Sequence, residues 1–205
     1  MNTTPLASSL LQQLQGPGIQ QIASQLGVEP AQAQSAVATA LPLLLGALGR
    51  NTQQADGAQA LLGALQRDHA GAAGGLDLGG LLGSVLGGST TRQTDGAGIL
   101  GHIFGGNAPQ AASGLGQATG LDSGKSGQLL QILAPIVLSF LAQRFVGGGN
   151  ADAGQLSQAL GQEHQQARAD GGLSGLLGQV LDQDGDGQLG VGDLLKLGGG
   201  LFGKS

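Results

Sequence analysis

The chain has 205 residues, a formal net charge of −5, 42 Gly, 6 Pro, and no Cys, Trp or Tyr. The missing Cys excludes disulfides, thiolate metal sites and a Cys nucleophile, and eight Lys and Arg against thirteen Asp and Glu leave no basic patch for nucleic acid phosphates. Leu, Ile, Val and Phe are frequent enough for a folded core, but with four Phe as the only aromatics that core must be mainly Leu and Ala; the usual aromatic anchors of interfaces, sugar platforms and base stacks are largely missing.

The N-terminal stretch MNTTPLASSLLQQL lacks the basic start and unbroken apolar run of a secretory signal, which points to a cytoplasmic protein, with export by a route that cleaves no signal as the alternative. Apolar residues then recur at helical spacing, and the period-two alternation of strands is absent. The pattern predicts an all-α, multihelical chain with helices near 5–14, 18–26, 30–48, 56–67, 76–87 and 96–104, followed by 109–118, 123–147, 152–168, 172–181 and 191–202. Glu29-Pro30 opens one long helix, with Pro tolerated in its first turn, and Asp122 or Ser123 can cap the other. Pro42 and Pro135 fall inside these helices, where each removes a backbone hydrogen bond and is expected to kink the chain. The most apolar run, Leu129 to Val146, is interrupted by Gln131, Ser139, Gln143 and Arg144; its unbroken apolar part is shorter than the roughly twenty residues that a bilayer requires. It reads as a buried central helix, with no transmembrane segment. Gly79, Gly83 and Gly87 at four-residue spacing would let short helices approach closely.

The order of elements repeats. LGVEPAQAQSAVATALPLLLGAL from Leu26 matches TGLDSGKSGQLLQILAPIVLSFL from Thr119, so that Gly27 aligns with Gly120 and Pro42 with Pro135, each 93 positions later. GLLGSVL from Gly80 matches GLLGQVL from Gly175. A tandem duplication of a helical unit of roughly 95 residues follows, with 1–106 as the first repeat and 107–205 as the second.

Three segments carry a wider likeness: ALPLLLGALGRN (Ala40 to Asn51), GILGHIFGG (Gly98 to Gly106) and LAPIVLSFLAQ (Leu133 to Gln143). With them the chain resembles the bacterial domain of unknown function 937, or YidB-like, family. The resemblance implies an all-helical bacterial protein and brings no reaction or catalytic residues with it.

Near the C-terminus, DQDGDGQLGVGD (Asp182 to Asp193) has the spacing of an EF-hand calcium loop. Calcium takes six to eight oxygen ligands, supplied by such loops at positions 1, 3, 5, 7, 9 and 12. Asp182, Asp184 and Asp186 occupy the first three, Gly187 the sharp turn at the sixth, and Gln188 the seventh, where a backbone carbonyl serves. Gly190 leaves room for a water at the ninth, and Asp193 closes the loop at the twelfth. Asp193 is one methylene shorter than the usual Glu, so affinity should be modest. Four of the chain's acids sit in this loop, nearly matching its whole net charge. They repel one another unless a cation neutralises them. The stretch DGDGQLGVGDLLKL also resembles the calcium repeats of dockerin modules, which likewise carry Asp at the twelfth position. The first-repeat counterpart, GGSTTRQTDG after Leu86, has a single Asp, Asp95, and should bind no ion.

Other motifs fail on context. Gly96, Gly98 and Gly101 spell G-x-G-x-x-G without a preceding strand. SGKSG around Lys125 lacks the first Gly of a phosphate loop and reads better as a helix start. His69, His102 and His164 form no zinc-ligand spacing; His102, beside Ile103 and Phe104, reads as a packed residue. No G-x-S-x-G elbow occurs. The expectation is a non-enzymatic, calcium-binding helical protein of structural or interaction type, with Asp182, Asp184, Asp186, Gln188 and Asp193 as Ca²⁺ ligands. Because EF-hands usually work in pairs, a homo-oligomer is also expected; no nucleic acid partner is, and the protein partner stays open. The alternative is a self-assembling scaffold that calcium only stabilises, and an enzyme of unrecognised type is the third reading.

Overall fold

The computed structural model describes residues 5–54, 56–68, 95–147 and 152–169. In chain order they form α1 (Leu6–Leu14), α2 (Pro17–Leu26), α3 (Pro30–Thr52), α4 (Gly57–Asp68), α5 (Gly96–Phe104), α6 (Ala108–Thr119), α7 (Ser123–Phe145) and α8 (Ala153–Ala169), with a 3₁₀ turn at Gly105–Asn107. Among the described residues every regular element is helical, as the missing strand periodicity implies. The expected helices near 76–87, 172–181 and 191–202 lie outside the described residues.

Most observed ends fall within two residues of those read from the sequence, because caps and breakers act locally. Gly27 and Gly120 close α2 and α6 in the left-handed region, at φ +60° and +72°, where a side chain would be strained. The exception is α3, expected to stop at 48 but continuing to Thr52. A tertiary contact extends it, as the Asn51 side-chain amide donates to the carbonyls of His102 and Ile103 at 3.3 and 3.0 Å, while within the last turn the Thr52 hydroxyl donates to the Gly49 carbonyl.

Both 23-residue helices run on through their internal prolines, Pro42 and Pro135. Pro135 leaves the Gln131 carbonyl without its donor four residues on. The start of α5 covers that carbonyl: a β-carbon on Gly96 would fall on the Gln131 oxygen. Only glycine permits this approach.

α3 and α7 form the centre. From Leu129 to Ala142 every residue of α7 is buried except Gln131, and α3 is buried without a gap from Leu43 to Gly49. By length and composition both could cross a membrane (mean hydropathy 1.3 and 1.4), yet 61% and 78% of the respective windows are buried inside the fold. The shorter helices wrap this pair with narrower stripes. α1 buries Leu6, Leu10 and Leu14, one face at i, i+4, i+8; α8 buries Leu156 and Leu160. Helices from before and after residue 106 contribute to one continuous apolar cluster, and α8 packs most extensively on α3. Along that seam a β-carbon on Gly49 would fall on the Leu160 carbonyl oxygen, and the Ser157 hydroxyl reaches the Thr52 carbonyl at 3.4 Å.

Candidate functional site

The loop ligands Asp182, Asp184, Asp186, Gln188 and Asp193 lie outside the described residues, as do His69 and most of GGSTTRQTDG. Among the described residues no group of three or more His, Cys, Asp or Glu comes together.

The described acids are largely occupied with helix ends. The Asp95 carboxylate accepts from Gly98 N at the start of α5, at 2.9 Å. Asp122 accepts from Lys125 N at the start of α7, at 2.9 Å, and Asp152 from Gly154 N and Gln155 N at the start of α8. Each oxygen satisfies first-turn donors that have no partner inside the helix. Of Gly96, Gly98 and Gly101, the nucleotide-like trio, all three therefore sit within a capped helix.

Lys125 is tied down rather than offered to a phosphate. Its ammonium donates to the Gly27 carbonyl at 3.2 Å, where α2 ends and the helix dipole favours a cation. A wide hollow of about 670 Å³ opens beside it, lined by Gln20, Ser24, Glu29 and Gln32 among others. A smaller cleft of about 210 Å³ lies between Arg50, Asn51, His102 and Asn107.

The two described histidines differ. His164 is half-buried and its Nδ1 lies 3.0 Å from the Gly46 carbonyl, so Nδ1 carries the proton and donates. His102, expected to pack with its neighbours, is exposed. On α5 the inward face is Ile99, Leu100, Ile103 and Phe104, and helical spacing turns position 102 away from it.

One acid stands apart. Glu163, on α8, is 7% exposed. Its carboxylate accepts from the backbone N–H groups of Leu6 and Ala7, the first turn of α1. The residue before that turn is Pro5, which supplies no side-chain cap, so the cap of α1 comes from the opposite end of the described chain. Burial pushes the Glu163 carboxyl above its ordinary value, and the two backbone hydrogen bonds pull partly against that. Motif scanning passes over this residue. Spacing could have found it: Glu163 continues the stripe of Leu156 and Leu160, so an acid occupies a core-facing position.

Among the described residues, Asp95, Asp122, Asp152 and Glu163 thus serve the starts of helices around an apolar core. The family model described as bacterial protein of unknown function (DUF937) matches residues 8–144. The chain belongs to that family. The match covers α2 to α6 in full and nearly all of α1 and α7. No curated protein matches the chain. No solved structure matches it either.

Proposed function

We propose that this chain is a calcium-binding helical protein of structural or interaction type, in which one EF-hand-like loop orders the C-terminal helix pair. The observation that carries the reading is the loop itself: Asp at positions 1, 3, 5 and 12 of DQDGDGQLGVGD, with Gly187 at the sixth. The side chains of Asp182, Asp184, Asp186 and Asp193 and the Gln188 carbonyl hold the ion. Four carboxylates in twelve residues need a cation, and filling the loop adds binding free energy to the folded state.

We read the chain as a tandem repeat. Support comes from the two 23-residue helices, each preceded by a left-handed glycine and carrying Pro at the same place. α5 also lies against α7 more extensively than against α3, much as α1 lies against α3. The second repeat carries the loop and the first does not. A solitary EF-hand is completed by a second copy, which makes a homo-oligomer part of the proposal, in a cytoplasmic setting.

Calorimetric titration of the full chain with Ca²⁺, and separately with Mg²⁺, tests this. Binding of one Ca²⁺ per chain, abolished in the Asp182→Ala, Asp186→Ala double variant, is expected. No heat with Ca²⁺, or unchanged binding in the variant, overturns the assignment. Light scattering with and without Ca²⁺ tests the oligomer. A scaffold merely stabilised by the ion would raise its melting temperature with no change in exposed surface or assembly.

A further inference from the structure

We propose that Glu163 makes the docking of α1 proton-dependent, holding the helix most firmly when its carboxyl is protonated and loosening it when the carboxyl ionises. α1 makes its contacts with α2, α3 and α8, and its first-turn N–H groups have Glu163 as their partner. Closing this contact withdraws the carboxyl almost completely from water.

Among the described side chains around it, none offers a compensating charge. α1 carries no titratable residue in LASSLLQQL, and neither does α2 in PGIQQIASQL. On α3 the one cation is Arg50, which is exposed and lines the cleft beside His102. On α4, Arg67 is exposed. On α8 itself, His164 is turned to the Gly46 carbonyl. Two backbone N–H groups must therefore balance the desolvation of the charged form, and burial outweighs them.

The direction follows from linkage. Docked Glu163 holds its proton more tightly than it does when α1 is released to solvent, so docking is strongest below the exposed carboxyl's range. It weakens as pH rises through the docked group's higher value. Release uncovers Leu6, Leu10 and Leu14, which are otherwise buried. The device is a loosening, as pH rises, of an N-terminal helix by an acid 157 residues away.

Amide hydrogen exchange of the full chain, followed across pH as protection relative to intrinsic rates, tests the proposal. One proton per opening makes α1 protection fall by up to about tenfold per pH unit between the exposed carboxyl's pKa and the higher docked one, levelling off above the latter. In Glu163→Gln, which keeps an acceptor oxygen but cannot ionise, α1 protection should be flat. The same slope in wild type and variant, or no slope in either, overturns the proposal. Protection of α1 amides no lower than that of α7 amides overturns it as well, because α1 would then open only with the whole core.

Discussion

α3 and α7 are both 23-residue helices with an internal Pro, yet they meet their neighbours differently. Gly46 and Gly49 on α3 stand where α7 has Ser139 and Ala142. On α3 the absence of side chains admits α8 so closely that its Leu160 carbonyl lies where a β-carbon would be. On α7 the larger residues are themselves buried, and α4, the helix following α3, packs on it far less extensively than α8 packs on α3. At Gly49 the backbone of α8 thus comes closer to α3 than a side chain there would allow. Backbone proximity, more than hydrophobicity, distinguishes α3 from α7.

The largest effect expected along this comparison comes from emptying the shared centre. Leu141→Ala and its counterpart Leu48→Ala should each lose about 2–5 kcal/mol in urea denaturation followed by helical circular dichroism. Leu141, at 0% exposure against 3% for Leu48, should lose more. A clear reversal would mean that α3 is the better packed helix.

Next is the seam itself. Gly49→Ala should destabilise by about 1–3 kcal/mol, since α8 must move, even though alanine is the better helix former. Gly63→Ala on α4 meets nothing within 4 Å and should stabilise by up to about 1 kcal/mol. Equal effects at the two sites would refute the close-approach explanation.

The two helix starts provide a smaller contrast. Asp122 caps α7 with its side chain, whereas Glu29 makes no such bond to α3, which relies on Pro30. Asp122→Ala should lose about 1 kcal/mol; Glu29→Ala should be near neutral in the same assay.

Smallest at neutral pH is Glu163→Gln, which should leave overall stability unchanged or slightly improved. The neutral amide avoids the desolvation of a charge and retains an acceptor for Leu6 and Ala7. Wild-type stability should gain on the variant as pH falls, because the raised carboxyl stabilises the fold in its protonated form and loses that contribution as it ionises. Paired denaturation curves at several pH values read this directly. A wild type that instead weakens toward acid relative to the variant would reverse the sign.

Much of the fold could be read in advance because its signals are short-range. Pro30 and Asp122 began helices where the sequence placed them, and apolar residues at helical spacing marked out the helices themselves. Where sequence reading departed from the structure, distant partners were responsible. α3 outran its expected end because Asn51 finds carbonyls on α5, and His102 turned outward because the α5 core face lies on its other neighbours. Glu163 was visible only as a charge interrupting a Leu stripe; its role depends on where the first turn of α1 arrives.

By itself, the sequence determined that these segments are helical and where most of them begin and end. Periodicity and capping operate within about a dozen residues of one another. The tertiary structure alone decided that α8 lies against Gly49, that Lys125 is tied to the Gly27 carbonyl, and that a glutamate is withdrawn from water to cap a helix from the far end of the described chain. Burial and desolvation depend on which remote surfaces meet, and no local pattern encodes that meeting.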